Sequence, residues 1–476
     1  MEEFDVAVVG AGIGGLVAAL ELSASHRVVL LERLPRPGGT AASFRRGRYF
    51  FPAGPLGFSF PRLVGAYFED RCLGRVRFHR RHYHLLAGDL DLVISRPLEV
   101  LAKELGRRYP EERLDRAISE LKLLIARARG VFVTRWGLFN ALERRRVDYS
   151  LEAYYRPAAE FFSDFLKDET LVNLFSSQGV KSSEQSAIAS AYMWDILTET
   201  GIWYPEGGID RLLTRLYRSL EGRAGVRLAT LVERISKREG GYVVHTGKGG
   251  LSARALVLNS DYKKTFLELA DFAGEFAREV EKRKESGSVF SLYLGVDLSR
   301  VDFSRMRAEH MLYYPALDEG AEHLAGNMFY GKEVEVALLP GGEGATAPPG
   351  RGVVVVRSPM SYERCLFDTG EEYHAFKERA GEELLAIAEH LLPGVSKAVE
   401  VREAATPLSY EVWGGRYRGS VAGWSWSDSI ARSLVETPFE NLLTAGIYSF
   451  SIPFLGGFAS AMYSAMRASE LLRNSL

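Results

Sequence analysis

Residues 5–32 read DVAVVGAGIGGLVAALELSASHRVVLLE, and this stretch decides the fold. An apolar run at residues 6–9 leads into a glycine-rich turn at 10–15. A helical pattern follows, and a second apolar run at 28–31 ends in Glu32. This order predicts a strand, a tight turn, a helix and a second, parallel strand.

The glycines of this turn and the acid after the second strand predict dinucleotide binding. Glycine is needed where the turn leaves the usual φ range and where the backbone approaches a pyrophosphate. The helix N-terminus offers N–H groups and the positive end of its dipole to the phosphates. Glu32 follows Gly12 by 20 positions, about where a carboxylate meets a ribose hydroxyl. The candidate contacts are Gly10, Gly12, Gly14, Gly15 and Glu32.

A second set of glycines follows, with PGGT at 37–40 and Gly-Pro at 54–55. This order resembles the opening of the FAD-dependent amine-oxidase superfamily and, within it, the phytoene desaturase and carotenoid isomerase family. The resemblance implies that the glycine pair at 38–39 runs beside the diphosphate and that the turn at 54–55 approaches the flavin. The candidate FAD contacts that it adds are Arg33, Gly38, Gly39, Thr40, Gly54 and Pro55.

The rest of the chain carries the same resemblance. A strand near residue 232 would place its backbone beside the adenine. Later come ATPLSY at 405–410, NLLTAG at 441–446 and GGFASA at 456–461. The last helix would direct its N-terminus at the pyrimidine end of the flavin. The candidate contacts of this part are Val232, Gly446, Gly457, Phe458 and Ala459.

These patterns predict an α/β protein. A Rossmann-like FAD-binding domain with a parallel sheet is built from discontinuous segments, and a substrate-binding domain of mixed sheet and helices is inserted between them. The helical part of the second domain is a candidate for membrane association. We expect strands at 289–297 and 353–358 and a long helix at 375–392. The predicted boundaries are residues 1–60, 201–265 and 405–476 for the FAD-binding domain and 61–200 and 266–404 for the substrate-binding domain.

The composition is that of a soluble globular protein, with 46% apolar and 25% charged residues. The net charge of −1 gives no indication of a nucleic-acid partner. Residues 71–146 nevertheless hold 18 Lys or Arg against 9 Asp or Glu. Such a basic face can dock on anionic lipid, and the stretch at 131–139 suits an interfacial segment. A solvated helix surface and ordinary core packing are the alternatives.

The two cysteines, Cys72 and Cys365, form no disulfide framework and suggest a reducing compartment. Neither lies in a motif poised to bond a flavin, so we expect noncovalent FAD. The first strand begins at the fourth or fifth residue, which leaves no room for a signal peptide. We therefore expect a cytoplasmic protein, with peripheral membrane contact as an option. Scarce glutamine with plentiful Arg and Glu favours a thermophilic source.

Residue patterns for other chemistries are missing. The sequence has no HExxH motif, no CxxC-linked zinc spacing and no GxSxG elbow. His79, His82 and His84 cluster without an adjoining carboxylate, so we expect no metal site. A single dinucleotide fingerprint argues against a built-in NADPH site, and a diffusing electron acceptor or donor is expected.

The resemblance implies an FAD-dependent oxidoreductase that acts on a hydrophobic isoprenoid or carotenoid-like polyene. Desaturation, saturation and cis–trans isomerisation all fit, with hydride transfer at flavin N5 as the common step. A polyene offers no charged handle, so we expect an apolar tunnel and name no catalytic acid or base. The candidate lining residues near the flavin are Tyr204, Tyr410, Trp424 and Trp426.

Two other functions stay open. An amine-oxidase-type flavin oxidase would show an acid or paired aromatic residues at the flavin face and a smaller, closed cavity. A non-catalytic prenyl-lipid-binding protein, like the Rab escort and GDP-dissociation-inhibitor proteins, resembles the superfamily in fold and lacks FAD. The intact turn at 10–15 and Glu32 favour an enzyme over this second alternative.

Overall fold

The structure is a computed structural model, and it describes residues 1–132, 156–180, 185–342, 346–425, 435–449 and 455–474. The strands are β1 (Glu2–Val9), β2 (Val28–Leu31), β3 (Ser43–Arg46), β4 (Tyr49–Pro52), β5 (Phe78–Arg81), β6 (Tyr83–Ala87), β7 (Leu90–Val93), β8 (Ile202–Pro205), β9 (Gly225–Arg227), β10 (Val232–Arg238), β11 (Gly241–Thr246), β12 (Gly249–Leu258), β13 (Val289–Asp297), β14 (His310–Tyr313), β15 (Val334–Pro340), β16 (Arg351–Pro359), β17 (Val399–Ala405) and β18 (Leu442–Thr444). The helices are α1 (Ile13–Leu22), α2 (Pro61–Asp70), α3 (Leu98–Arg108), α4 (Leu114–Phe132), α5 (Ala158–Ser163), α6 (Glu169–Ser177), α7 (Ala187–Asp195), α8 (Ile209–Ser219), α9 (Tyr262–Lys264), α10 (Gly274–Lys282), α11 (Gly370–Leu391), α12 (Val395–Ala398), α13 (Pro407–Gly414) and α14 (Leu455–Asn474).

The first sheet contains the predicted unit of β1, α1 and β2. β1 pairs in parallel with β2 on one side and with β12 on the other. β9 extends the sheet beyond β2, and β18 pairs in parallel with the end of β12. The hairpin of β10 and β11 attaches to β12 in antiparallel orientation. The Rossmann-like parallel sheet therefore takes its strands from separate parts of the chain, as the sequence predicts.

The central strand β1 is buried on both faces. Val6 and Val8 pack into a core shared with α1, α8 and α14. Ala7 and Val9 point the other way, into a core shared with β11, β12 and the segment after α9. Burial on both faces explains why this strand reads as a continuous apolar run.

The second sheet is mixed and has the order β17-β13-β16-β15-β14-β6-β7. The strands predicted at 289–297 and 353–358 are confirmed as β13 and β16, which pair in antiparallel orientation. The predicted long helix is confirmed as α11, which covers one face of the sheet through Leu292 and Leu294. Tyr293 and Val355 lie on the opposite face, in the core that also holds α1. The second sheet thus turns one face toward the first domain.

Residues 61–200 contain strands as well as the predicted helices. The helical patterns near Leu98 and Leu114 are confirmed as α3 and α4. The strands β5, β6 and β7 were not predicted, because they are only four or five residues long. β7 pairs with its neighbour β6 in a hairpin. β6 pairs with β14, and β5 pairs with β8.

Two predictions concern residues that the structure does not describe. Residues 133–139 of the predicted interfacial stretch lie outside the described residues, and so does Trp426. Within the described ranges, none of the helices combines the length and the apolar character that crossing a membrane requires.

Candidate active site

A cavity of about 860 Å³ is lined by residues of both sheets. Val9, Leu31 and Asn259 line it just at the carboxyl ends of β1, β2 and β12, where open α/β sheets bind their ligands. Glu335 and Arg357 line it from the second sheet. The volume lies in the upper part of the range of about 300–1,000 Å³ that is usual for ligand pockets.

The glycine turn between β1 and α1 leaves no room for side chains. Gly10 has a φ of +96°, and a Cβ on Gly15 would lie 1.8 Å from the Gly10 carbonyl oxygen. A Cβ on Gly14 would lie 2.4 Å from Asn259 Oδ1. Gly12 is the N-cap of α1 and has no side chain to cap the helix. The first N–H groups of α1 are therefore open to an anion.

Glu32 stands at the end of β2 with 6% of its surface exposed. Its Oε2 accepts a hydrogen bond from the Ala11 N–H at 2.8 Å, and its Oε1 accepts one from the Leu34 N–H at 2.9 Å. A carboxylate has about four acceptor sites. Glu32 can therefore hold both amides and still accept hydroxyl groups of a ligand.

The second glycine pair packs directly on the first turn. Gly38 donates its N–H to the Ala11 carbonyl oxygen at 2.7 Å, and Gly38 and Gly39 have φ values of +118° and +55°. A Cβ on Gly54 would lie 2.2 Å from the Thr40 carbonyl oxygen. Residues of all three turns line the cavity.

Arg33 holds the C-terminal end of α13. Its Nη1 donates to the Val412 carbonyl oxygen at 3.0 Å, and its Nη2 donates to the Trp413 carbonyl oxygen at 2.5 Å. A cation in this place satisfies carbonyl groups of the last turn and is favoured by the helix dipole. Val412 and Trp413 line the cavity, and Trp413 is 70% exposed. Arg33 thus joins the end of β2 to the helix at the edge of the cavity.

Asn259 connects the turns at the top of the first sheet. Its Nδ2 donates to the Gly10 carbonyl oxygen at 3.1 Å. A Cβ on Gly446 would lie 2.9 Å from Asn259 Oδ1, and Gly446 donates its N–H to Ser460 Oγ at 2.9 Å. Gly457, in the first turn of α14, also lines the cavity. The segment after β18 is thereby fixed against the turn before α1.

On the second sheet, Tyr410 and Arg357 line the cavity. The Tyr410 hydroxyl lies 2.6 Å from Ser291 Oγ and 3.2 Å from the Tyr293 hydroxyl. Arg357 Nη2 donates to the Gly54 carbonyl oxygen at 2.7 Å. Burial raises the pKa of Tyr410, so this hydroxyl stays neutral.

The structure brings most of the predicted contact residues together at the cavity. The predicted residues that line it are Gly10, Gly12, Glu32, Arg33, Gly38, Gly39, Thr40, Gly54, Pro55, Val232, Tyr410, Gly446 and Gly457. The predicted residues outside the lining are Gly14, Gly15, Tyr204, Trp424, Phe458 and Ala459. Gly14 and Gly15 serve close packing instead, and Phe458 packs with its ring centroid 4.6 Å from that of Tyr67.

Two aromatic residues predicted to line the site need correction. Trp424 is 3% exposed and donates its Nε1–H to the Tyr448 carbonyl oxygen at 3.0 Å, in the core behind the cavity. Tyr204 is 8% exposed and packs in the core shared with α8. A position in a motif does not specify which side of the segment a ring occupies, and in both cases the ring turns into a core.

Several cavity residues were missed in the sequence. Asn259 could have been predicted, because it directly follows the apolar run of β12, at the carboxyl end of a parallel strand. No sequence pattern indicated Glu335 and Arg357, since only the register of β15 and β16 brings them together. Arg416, which donates to Thr40 Oγ1 at 2.9 Å, was missed because its partner lies 376 positions earlier in the chain.

Two histidines of the cluster lie next to carboxylates from outside the motif. His84 Nε2 lies 2.7 Å from Asp91 Oδ1, and His82 Nδ1 lies 3.5 Å from Glu309 Oε2. Across the part of the chain that the structure describes, no three His, Cys, Asp or Glu side chains are arranged to hold a metal ion.

Similarity to known proteins extends over nearly the whole chain. The family model described as flavin containing amine oxidoreductase matches residues 13–298, more than half of the chain. Prolycopene isomerase 1, chloroplastic, from an Oncidium hybrid cultivar is 23% identical over 493 residues, which cover 94% of this chain and 79% of that protein. All-trans-retinol 13,14-reductase from Danio rerio is 23% identical over 540 residues, which cover 99% of this chain and 86% of that protein.

Among solved structures, wild-type putrescine oxidase bound to putrescine has a similar fold. Its TM-score is 0.69 at 16% identity, with 99% of both chains covered. The resemblance to the amine-oxidase superfamily and to its phytoene desaturase and carotenoid isomerase branch is confirmed. The chain belongs to the flavin containing amine oxidoreductase family and is a flavin-dependent oxidoreductase.

Proposed function

We propose that this chain binds FAD noncovalently in the cavity and uses it to desaturate, saturate or isomerise a conjugated isoprenoid. The observation that carries the proposal is that a single cavity joins the dinucleotide turn and Glu32 to a wall of the second sheet. The similarity to prolycopene isomerase and all-trans-retinol 13,14-reductase supports the substrate class. We assign residues 1–60, 201–265 and 405–476 to FAD binding and 61–200 and 266–404 to substrate binding.

The residues at the cavity fit FAD. The uncapped start of α1 and the glycine pair at 38–39 place backbone N–H groups where a diphosphate needs donors. Glu32 keeps acceptor capacity for ribose hydroxyls, and Val232 offers backbone for the adenine. Cys72 and Cys365 both lie outside the lining, which supports noncovalent binding.

When bound, FAD supplies reversible hydride acceptance, and the protein supplies position and exclusion of water. Gly54 and Pro55 would let the backbone approach the ring closely, because a side chain at Gly54 is excluded by Thr40. Tyr410 would orient a ligand through a neutral hydroxyl fixed by Ser291. Burial of the ligand against these residues would remove water from the reacting atoms.

An amine oxidase is the second candidate, because Glu333 and Glu335 line the cavity and a carboxylate can pair with an ammonium group. Arg357 lines the same wall, and its positive charge opposes a cation. Although burial acts against the charge, Tyr293, Tyr410 and Glu335 raise the pKa of Arg357. The charges of this wall do not decide between the two candidates, and we favour the polyene because of the similarity to prolycopene isomerase and all-trans-retinol 13,14-reductase.

The absorption spectrum of the purified protein, with the chromophore identified after denaturation, tests the cofactor. We expect released FAD, and a colourless protein that takes up no added FAD would refute the proposal. Anaerobic mixing with a conjugated polyene and with a diamine then tests the substrate class. We expect product from the polyene alone. Oxidised flavin allows a desaturated product, flavin reduced beforehand with dithionite allows a saturated product, and isomerisation leaves the flavin oxidation state unchanged, so the two starting states distinguish the three reactions. Flavin bleaching by the diamine alone would favour the second candidate.

We also propose a diffusing electron partner and peripheral membrane contact through the basic region at 71–146. Lys103, Arg107 and Arg116 are exposed on α3 and α4, which supports an electrostatic contact. Sedimentation with vesicles tests this contact. We expect binding to anionic vesicles that falls with added salt, and equal retention by neutral vesicles would contradict the electrostatic reasoning.

A further inference from the structure

One carboxylate of the second sheet faces the cavity close to the turn that we propose to approach the flavin. Glu335 lies on β15 and pairs in register with Arg357 on β16. Directly paired residues place their side chains on the same face of a sheet, with Cβ atoms about 4.5–5.5 Å apart. Arg357 Nη2 donates to the Gly54 carbonyl oxygen at 2.7 Å, and all three residues line the cavity. Glu335 therefore lies beside the residue that contacts this turn.

The two oxygen atoms of Glu335 have different surroundings. Oε1 lies 3.3 Å from His310 Nδ1. Oε2 accepts no hydrogen bond from the residues that the structure describes, and it keeps accessible surface. The Glu335 side chain is 24% exposed, and the residue lines the cavity. Oε2 is therefore the oxygen atom that a ligand in the cavity can reach.

A buried histidine holds this carboxylate in place. His310 Nε2 accepts from Arg81 Nε at 3.3 Å, so the ring proton lies on Nδ1 and is donated to Glu335 Oε1. The His310 ring stacks on the ring of Tyr83, with centroids 4.5 Å apart. Burial lowers the pKa of His310, which keeps the ring neutral. Because Oε1 is occupied by this hydrogen bond, Oε2 is the atom that can take up a proton.

Glu335 is ionised at neutral pH. Burial alone would raise its pKa, but the hydrogen bond from His310 and the charge of Arg357 bring the pKa below its usual value. An ionised carboxylate stabilises positive charge that develops on a neighbouring carbon atom and can accept a proton from it. Glu333, which precedes β15 and also lines the cavity, differs because its Oε2 accepts from the Tyr314 hydroxyl. Glu335 is therefore the better placed of the two to exchange a proton with a ligand.

Desaturation and saturation each move a proton as well as a hydride. In desaturation, two neighbouring C–H bonds break: one hydrogen leaves with both electrons as a hydride to the flavin, the other leaves as a proton, and its electron pair forms the C=C bond. We propose that Glu335 is the catalytic acid–base, whose Oε2 takes this proton in desaturation and returns it in saturation; this inference rests on the proposed function. Water that enters the cavity after product release removes the proton from Oε2. His310 is the positioning residue that keeps Oε1 occupied.

The test measures single turnovers of the anaerobic holoenzyme with a conjugated isoprenoid polyene and with its dihydro derivative. The dihydro derivative is mixed with the oxidised holoenzyme, and the polyene is mixed with the holoenzyme reduced beforehand by dithionite. Glu335→Gln removes the acid–base group and keeps the size of the side chain. We expect both rates to fall about 100-fold or more, because the same carboxyl group acts in both directions. Added acetate should recover part of both rates in Glu335→Ala, because it brings a carboxylate into the vacated space.

Binding measurements separate this role from a structural one. In Glu335→Gln, the FAD content and the dissociation constant of the polyene, read from its absorption change, should stay within about twofold of the wild-type values. Glu335→Asp should recover part of the rate, because it restores a carboxylate. The control Glu403→Gln makes the same chemical change on the same sheet but outside the lining, and it should keep both rates.

The outcomes distinguish this inference from the proposed function. Unchanged rates in Glu335→Gln would overturn the inference and leave the proposed function intact. A polyene affinity that falls as much as the rates would do the same, because Glu335 would then serve binding alone. Wild-type protein that isomerises the polyene and catalyses neither redox reaction would also overturn the inference alone. Wild-type protein that binds no FAD, or converts neither isoprenoid, would overturn both.

Discussion

Replacing Glu32 by glutamine tests whether this carboxylate holds the dinucleotide turn in place. The wild-type side chain accepts two backbone N–H groups, from Ala11 at 2.8 Å and from Leu34 at 2.9 Å. Hydrogen bonds to a charged group contribute about 1.5–3 kcal/mol each, and neutral ones contribute about 1 kcal/mol. Glutamine keeps one acceptor and turns an NH₂ group toward the other N–H. The free energy of unfolding should therefore fall by about 2–5 kcal/mol.

The assay is urea unfolding of the flavin-free protein, followed by titration with FAD. We expect a lower urea midpoint and an FAD dissociation constant raised about 100-fold, which corresponds to about 2.7 kcal/mol. Glu2→Gln is the control, because Glu2 pairs with Arg227 on the surface, where an ion pair contributes about 0–1 kcal/mol. An unchanged urea midpoint for Glu32→Gln would refute the reasoning on the turn. A lower midpoint with unchanged FAD affinity would refute the assignment of Glu32 to the ribose.

Three further predictions concern the turn, the helix at the cavity edge and the pH dependence of stability. Gly15→Ala should abolish flavin binding, because its Cβ would lie 1.8 Å from a carbonyl oxygen. The control variant Gly287→Ala should bind flavin normally, because a Cβ there meets open space. The flavin content of the two purified variants tests this prediction. Arg33→Met should release flavin faster in stopped-flow displacement, because two hydrogen bonds to the end of α13 are lost; an unchanged rate would exclude a role of this helix in retention. Burial acts to raise the pKa of Asp318, but hydrogen bonds from His390 and two other side chains hold it well below its usual value. The stability it confers is therefore complete above pH about 4 and is lost as the pH falls. In urea unfolding, Asp318→Asn should be less stable than the wild-type protein at neutral pH, and its stability should depend less on acid. An equal loss of stability with falling pH in the wild-type protein and the variant would contradict this.

Local patterns predicted the unit of β1, α1 and β2 in the first sheet because its residues are contiguous in sequence. The turn at 10–15, the two flanking apolar runs and Glu32 lie within one βαβ unit, so periodicity and spacing were sufficient. The long helix α11 and the strands β13 and β16 were predicted for the same reason.

The second-sheet wall could not be predicted, because it depends on long-range register. Arg357 reads as a polar residue near the end of a valine-rich strand, and only its pairing with Ser291 and Glu335 makes it part of a wall. Trp424 shows the opposite case, since its motif position suggested the site while the fold turned its ring into a core. The strands β5 to β7 were missed because segments of four or five residues carry little periodicity.

The division of the parallel sheet among distant segments has a consequence for biosynthesis. β1 leaves the ribosome more than 400 residues before β18, which pairs with the end of β12 and leads to Gly446. Until then the growing chain holds a phosphate-binding turn without the neighbour that fixes Asn259 and closes the edge of the sheet. The end of β12 is complete at residue 258 and stays without this partner strand until residue 442 has been made. Under the proposed function, stable FAD binding would therefore wait for late synthesis. Under the same proposal, FAD uptake would indicate that β18 has paired with β12.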